Sequence, residues 1–331
     1  MKSFFYLTAA VARLNAPGFF VSCVVAVAAT FISEHQGGSS LLYALLLGMA
    51  LKSVVDQENS GPGIGFSARS ILRIGVALLG LRISIEQITA LGLTSALVIV
   101  FSVMATIASG IVMARWLGFE RPFGVLTGCA TGICGASAAL AVASLLPRNE
   151  KSDRDASFTV VAVTTLATVA MIFYPPALRA LGFSDHDAGF IIGGTIHDVA
   201  QVVGAGYMIS PDAGDTATVT KLFRVALLIP ITMMIASFCT APGQRRGSVT
   251  VPWFLVLFVI FALMRSYAGL PVSVVDAATA VSRWCFVIAI AAVGLKTTLG
   301  DFKQIGWPAL VLVVAETAVI TLIIGVAAYV T

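Results

Sequence analysis

Charge is what this chain has least of. Only 11% of its 331 residues are Asp, Glu, Lys or Arg, against roughly a quarter in soluble domains, while 58% are hydrophobic. Mean hydropathy is +0.98, the signature of a polytopic membrane protein rather than a water-soluble one. Histidine is scarcer still: His35, His186 and His197 are the whole supply, and no His-Glu-x-x-His or similar zinc spacing exists. No phosphate-cradling loop or nucleotide signature is present, which argues against an ATP-driven pump. The five cysteines, at 23, 129, 134, 239 and 285, lie in or beside apolar segments with no Cys-x-x-Cys pair. They read as small packing residues, not as a disulfide framework. The short alternating segments of a β-barrel are missing. A formal charge of +4, carried in loops, is too small to suggest a nucleic-acid partner. Neither a metal nor a cofactor is expected, and the chain is not read as an enzyme.

What the chain does have is apolar runs, eleven of them, near 17–33, 40–55, 70–84, 91–114, 123–146, 157–178, 188–209, 221–240, 252–268, 276–296 and 307–330. Connecting segments are short, the longest polar ones being Asp56–Arg69 and Pro147–Asp155. The expectation is therefore one integral membrane domain over 1–331, all-α, with about eleven transmembrane helices. Residues 1–16 are read as a short interfacial segment. With alternate loops on opposite sides, most Lys and Arg, from Lys2 and Arg13 to Lys296 and Lys303, fall on one side. The positive-inside rule then puts the N-terminus in the cytoplasm and the C-terminus outside. The Arg148, Lys151 and Arg154 cluster violates that assignment, and would cease to do so if two segments were re-entrant.

Two of the apolar runs turn glycine-rich and polar halfway along. One reads Thr127-Gly-Cys-Ala-Thr-Gly-Ile-Cys-Gly-Ala-Ser137, the other Gly193-Gly-Thr-Ile-His-Asp-Val-Ala-Gln201. Unwound backbone at membrane depth survives only when buried in protein or lining a wet cavity, and paired broken helices point to a transporter's substrate site. In the first, glycines 128, 132 and 135 let the backbone approach a ligand, Thr127, Thr131 and Ser137 offer hydroxyls, and a half-helix from near Cys134 offers free N–H groups to an anion. In the second, His197 and Asp198 are ionisable inside a span and so functional candidates, with Gln201 on the same face. Lys221 and Arg224 share a helical face at the start of the eighth run, as interfacial anchors or as inward-facing countercharges for an anion. Arg283 and Glu316 lie deeper in their spans.

A gap-free internal match pairs Ile74–Ser84 with Ile288–Thr298, aligning Gly80 with Gly294, Arg82 with Lys296 and Ser84 with Thr298. The copies fall in the third and tenth runs, seven steps apart, so with alternate crossings they run in opposite directions, as in inverted-topology transporters.

Four strings, Leu78-Leu-Gly-Leu-Arg82, Thr131-Gly-Ile-Cys-Gly-Ala-Ser137, Thr195-Ile-His-Asp-Val-Ala-Gln-Val-Val203 and Thr220-Lys-Leu-Phe-Arg-Val225, resemble the YeiH-like sulfate exporter family of bacterial inner-membrane proteins. The resemblance runs from about Pro17 to Val330. It implies a secondary transporter akin to the cation:proton antiporter and bile-acid symporter superfamily, with an inverted-repeat, elevator-type fold and a homodimer. The expected function is export of a small anion, sulfate or a related oxyanion, coupled to a proton or sodium gradient. Thr131, Gly132, Cys134, Gly135, Ser137, Gln201, Lys221 and Arg224 would bind substrate, and His197 and Asp198 would handle the coupling ion. Two rivals stand beside it: a cation:proton antiporter that binds its cation at Asp198, and a non-transporting membrane enzyme or scaffold, for instance a hydrolase using Ser137 or Cys134 with His197.

Overall fold

The computed structural model describes residues 2–55, 57–89, 91–147, 151–239, 252–297 and 307–330, and every regular element among them is helical. Asp56, Arg148 and Lys303, which enter the loop and charge readings, lie outside the described residues. In chain order the helices are α1 (Lys2–Gln36), α2 (Ser40–Leu51), α3 (Gln57–Phe66), a π-turn at Ser67–Ile71, α4 (Leu72–Leu79), α5 (Ile85–Thr89) and α6 (Gly92–Trp116). They continue as α7 (Arg121–Gly132), α8 (Ala136–Ala143), α9 (Ser152–Ala180), α10 (Asp185–Thr195), α11 (Val199–Ile209), α12 (Pro211–Ala226) and α13 (Leu228–Cys239). The last are α14 (Trp253–Tyr267), α15 (Val272–Lys296) and α16 (Trp307–Val330). All eleven apolar runs are helical, and among the described residues seven helical stretches are long and apolar enough to cross a membrane. Phe20, Leu93 and Phe173 point outward, and Trp116, Trp253, Tyr267, Trp307 and Tyr329 are exposed at helix ends, as at the two faces of a bilayer.

The sequence alone suggests one domain; the fold divides into two compact units. The first comprises residues 1–87 and 253–298, the second 88–252 and 299–331.

In the first unit, the stretch before Arg69, expected to be a loop, is helical from Gln57 and runs through the π-turn into α4. Its Gly63 is contact surface, not punctuation. Gly63 faces Gly18 of α1 so closely that a methyl group on Gly63 would collide with Asn15 O, and one on Gly18 with Ser60 O. Membrane helices associate through such small-residue seams, because apolar bulk gains nothing over lipid. Close packing recurs at Gly80 and Gly294. A methyl on Gly80 would collide with Phe258 O of α14, and one on Gly294 with Leu45 O of α2.

In the second unit α7 lies along α6, α16 packs against both, and α10 and α11 pack against α12. Phe123 anchors the start of α7, buried with Ala114, Ala309 and Leu312, its ring 4.7 Å from that of Phe119 and 6.0 Å from that of Phe158. This anchor sets the rotation of α7, so that Thr127 and Thr131, one and two turns on, face α16.

The seam between α1 and α3 predicts that Gly18→Val or Gly63→Val costs about 3 kcal/mol or more through forced separation of the backbones. Gly61→Ala, at a position with open space around it, is tolerated. Yield of monodisperse protein by detergent size-exclusion chromatography checks the contrast.

Candidate functional site

The second unit contains both broken helices. α7 stops at Gly132, where Ile133 takes φ −110° and ψ −84°, and α8 starts after Gly135, at φ 62° and ψ −125°. That backbone conformation suits glycine alone, so the torsion fixes the residue, while a methyl group there would meet His197 O only at ordinary contact distance. α10 stops at Thr195, Ile196 is extended, and α11 begins at Val199 with Asp198 as its cap, Oδ1 accepting from Ala200 N at 3.1 Å.

A helix that ends in the core leaves its last carbonyls without partners, and its C-terminus carries roughly half a negative charge. Here two such ends meet, and α12 supplies what both lack. Lys221 Nζ donates to Ile133 O and to Ile196 O, each at 2.8 Å, bridging the two breaks with one ammonium group. Arg224, one turn on, donates from Nε to Gly132 O at 3.0 Å and from Nη2 to Thr131 O at 2.9 Å and Gly132 O at 2.7 Å. Its Nη1 reaches Gly193 O at 3.1 Å and Ile196 O at 3.2 Å. Both side chains are completely buried. Neither is an interfacial anchor: the helix begins at Pro211, ten residues before the expected start, so both cations fall inside it. The polar run Asp212–Thr220 hides that start in the sequence.

His197 bridges the second break to the first and to α16. Its Nδ1 lies 3.2 Å from Thr131 O, which can only accept, so Nδ1 carries a proton. Its Nε2 lies 2.9 Å from Thr317 Oγ, which is also 2.7 Å from Val313 O. Glu316, next to Thr317, is fully buried and accepts from Thr127 Oγ at 2.7 Å and Thr131 Oγ at 2.9 Å.

The structure therefore brings Thr131, Gly132, Gly135, His197, Lys221 and Arg224 together. Cys134 is buried within electrostatic reach of Lys221, Arg224 and Asp198, and Asp198 is likewise in reach of Lys221. Gln201 faces α9, with Nε2 3.3 Å from Thr168 Oγ and Oε1 without a partner; Thr220 Oγ is similarly buried and unpartnered. Ser137 is exposed on the first turn of α8. The amides of Ile133 and Gly135 bond to Cys129 O and Ala130 O, and those of Ala136 and Ser137, on the first turn of α8, are left for a ligand. The residue ahead of α8 offers no capping side chain, and the Ala138 amide meets only the weakly accepting Cys134 sulfur. Sequence reasoning misses the partners of Glu316, together with Thr168 and Thr317. The one signal it offers is an acidic residue in the middle of the last span.

Residues 17–313 match the family described as conserved hypothetical protein 698. A UPF0324 membrane protein of Chlorobaculum tepidum is 44% identical over 93% of this chain and 87% of its own length. The UPF0324 membrane protein TauZ of Paracoccus pantotrophus is 46% identical over 91% of each chain. The chain belongs to this family, in agreement with the whole-length resemblance drawn from its motifs. Among solved structures, the sodium proton antiporter MjNhaP1 of Methanocaldococcus jannaschii aligns over 95% of this chain and 98% of its own, at 12% identity and a TM-score of 0.30.

Removing the guanidinium orphans Gly132 O and Gly193 O, one on each broken helix, so Arg224→Met is expected to cost about 2–6 kcal/mol, at about 1–3 kcal/mol for each buried carbonyl left without a donor. Arg224→Lys recovers only part of this, because a single ammonium cannot reproduce the fork. Thermal unfolding of the detergent-solubilised variants measures both.

Proposed function

We propose that this member of the conserved hypothetical protein 698 family is a secondary carrier of a small anion, a sulfate-like oxyanion, bound where the two broken helices meet. One observation carries the reading: no side-chain oxygen caps the first turn of α8, while that of α11 is capped by its own Asp198. The charges around the breaks agree with it. Lys221 and Arg224 bring two positive charges and Asp198 one negative, while the two C-terminal and two N-terminal helix ends offset each other at about half a charge apiece. With Glu316 protonated the excess is positive, and the free amides of Ala136 and Ser137 are the donors an oxyanion takes up at a helix start. Arg224 acts through its field, all five of its N–H groups being committed to carbonyls, whereas Lys221 commits two of its three protons. Cys134, Gly135 and Ser137 shape the anion's seat, and Gln201, whose Nε2 reaches Thr168 Oγ, belongs to the proposed substrate set with its Oε1 left without a partner.

His197 and Asp198 are assigned to the coupling ion. The cation antiporter reading is weaker, since Asp198 already caps α11 and lies within reach of Lys221, which repels a cation from it. The wider proposal includes the bacterial inner membrane, a cytoplasmic N-terminus, a periplasmic C-terminus and a homodimer.

The test is uptake of radiolabelled sulfate into proteoliposomes with and without a pH or sodium gradient. Gradient-dependent flux is expected, and is lost in His197→Ala and in Asp198→Asn. Transport that survives both changes ends the coupling assignment, and flux of sodium with indifference to sulfate moves the reading to an antiporter. Ser137→Asp puts a carboxylate on the exposed first turn of α8, where it suits the helix dipole and stabilises the fold. It should nevertheless reduce anion flux by about tenfold or more, the equivalent of losing one charge-assisted contact. Ser137→Ala should leave flux within a few-fold of wild type.

A further inference from the structure

Glu316 is the acidic group of α16, and the anion reading assigns it no contact with substrate. It lies fully buried where α16 meets α7, and its hydrogen-bond partners are the hydroxyls of Thr127 and Thr131. Among the described residues no cation pairs with it. α16 packs against α6, α7, α9 and α10, and the charges those helices carry stand at their ends. They are Arg115 on α6, Arg121 on α7, Asp153, Arg154, Asp155 and Arg179 on α9, and Asp185, His186 and Asp187 on α10. Nearer to hand, His197 reaches α16 through Thr317, and Arg224 touches Thr131 by its carbonyl. A carboxylate in this place, away from water and without a countercharge, is costly unless the group exists to change its charge.

We infer that Glu316, held between Thr127 and Thr131, is a proton-binding site of the transport cycle, taking up and releasing one proton where α7 approaches its break. The inference rests on the carrier reading above and names its coupling ion. What carries it is that both charge states are fully hydrogen-bonded in place. With Glu316 ionised, Thr127 Oγ–H donates to Oε1 and Thr131 Oγ–H to Oε2. When a proton adds to Oε1, the new O–H donates to Thr127 Oγ. The Thr127 hydroxyl proton then turns to Phe123 O, 3.1 Å away, while Thr131 continues to donate to Oε2. Release reverses these steps, and no heavy atom moves. A sodium ion would have to push apart oxygens that are already in contact. It would also find Oε1 lodged against α6, where a methyl group on Gly110 would lie 2.5 Å from that oxygen. Thr131 connects this event to the site, since its hydroxyl serves Glu316 while its carbonyl serves His197 and Arg224.

A structural carboxyl and a proton carrier part company in Glu316→Gln. An amide accepts from one threonine and donates to the other, so the fold is expected to survive with an unchanged melting temperature. Two measurements are made on wild type, Glu316→Gln and Glu316→Asp. The first is pH-difference infrared spectroscopy of the purified proteins, read at the carboxyl C=O stretch. The second is sulfate flux in proteoliposomes, as uptake driven by a pH gradient and as exchange at equilibrium. Expected are a titrating carboxyl band that vanishes in Glu316→Gln, and gradient-driven uptake reduced about tenfold or more with exchange retained, as when a relay carboxyl is removed. Glu316→Asp keeps a titrating band and part of the driven uptake. Driven uptake undiminished in Glu316→Gln, a requirement for sodium without response to pH, or a wild-type spectrum with no band that the glutamine removes would each overturn the inference. If wild type moves no sulfate, that anion fails on its own account, and the infrared comparison alone decides whether Glu316 binds the proton. If Glu316→Gln does not fold, the decision passes to Glu316→Asp, whose band must shift from the wild-type position if Glu316 is the group that titrates.

Discussion

Two cations pressed against the carbonyl ends of two broken helices hold the second unit together. A helix interrupted in the core exposes unpaired carbonyls on one side of the gap and unpaired amides on the other, and hydrocarbon leaves neither tolerable. Lys221 and Arg224 resolve the carbonyl side for both breaks at once, Lys221 with one bond to each and Arg224 with five contacts shared between them. They stand one turn apart on α12, so a single helix face joins α7 to α10. The glycines of α10 allow this: a methyl on Gly193 would collide with Ala217 O, one turn before Lys221, so α12 could not approach otherwise.

Once the carbonyl ends are neutralised, the amide ends decide the chemistry. α11 spends its own Asp198 on its first turn, whereas α8 has only Gly135 and the weakly accepting Cys134 sulfur ahead of it. The asymmetry turns two similar breaks into one closed end and one open end of positive character. Around them, His197 and Glu316 both act through Thr131, one on its carbonyl and one on its hydroxyl. Each also leans on a threonine whose hydroxyl has a second acceptor within reach, Val313 O for Thr317 and Phe123 O for Thr127. A hydroxyl with two partners can follow a change of protonation state at either group without repacking the core.

The membrane class, the eleven apolar stretches and both breaks are legible in the sequence. Glycine and polar residues inside an oily run are costly to a spanning helix, so their clustering marks the places where it unwinds. Thr131, Gly132, Gly135, His197, Lys221 and Arg224 do converge. Three features are not legible, each for a physical reason. The helix over Gln57–Phe66 is concealed by Asn59, Gly61, Pro62 and Gly63, residues that signal a turn in water, although Gly63 gives close helix contact here. The first turns of α12, rich in Asp, Thr and Gly, fall below any apolar threshold, and placing the helix start at 221 turns two central cations into apparent anchors. Glu316 stands alone in its span because its partners are threonines more than 180 positions away in sequence, a contact that no local pattern encodes.

The central claim is that an oxyanion is received at the first turn of α8. It is tested most directly by a structure of the purified protein with selenate, whose anomalous signal reports position without reliance on transport. The account predicts a selenium peak at the first turn of α8, with selenate oxygens within hydrogen-bond distance of the amides of Ala136 and Ser137. A selenium peak elsewhere, or an occupied cation site at Asp198 with the α8 turn empty at saturating selenate, would contradict it.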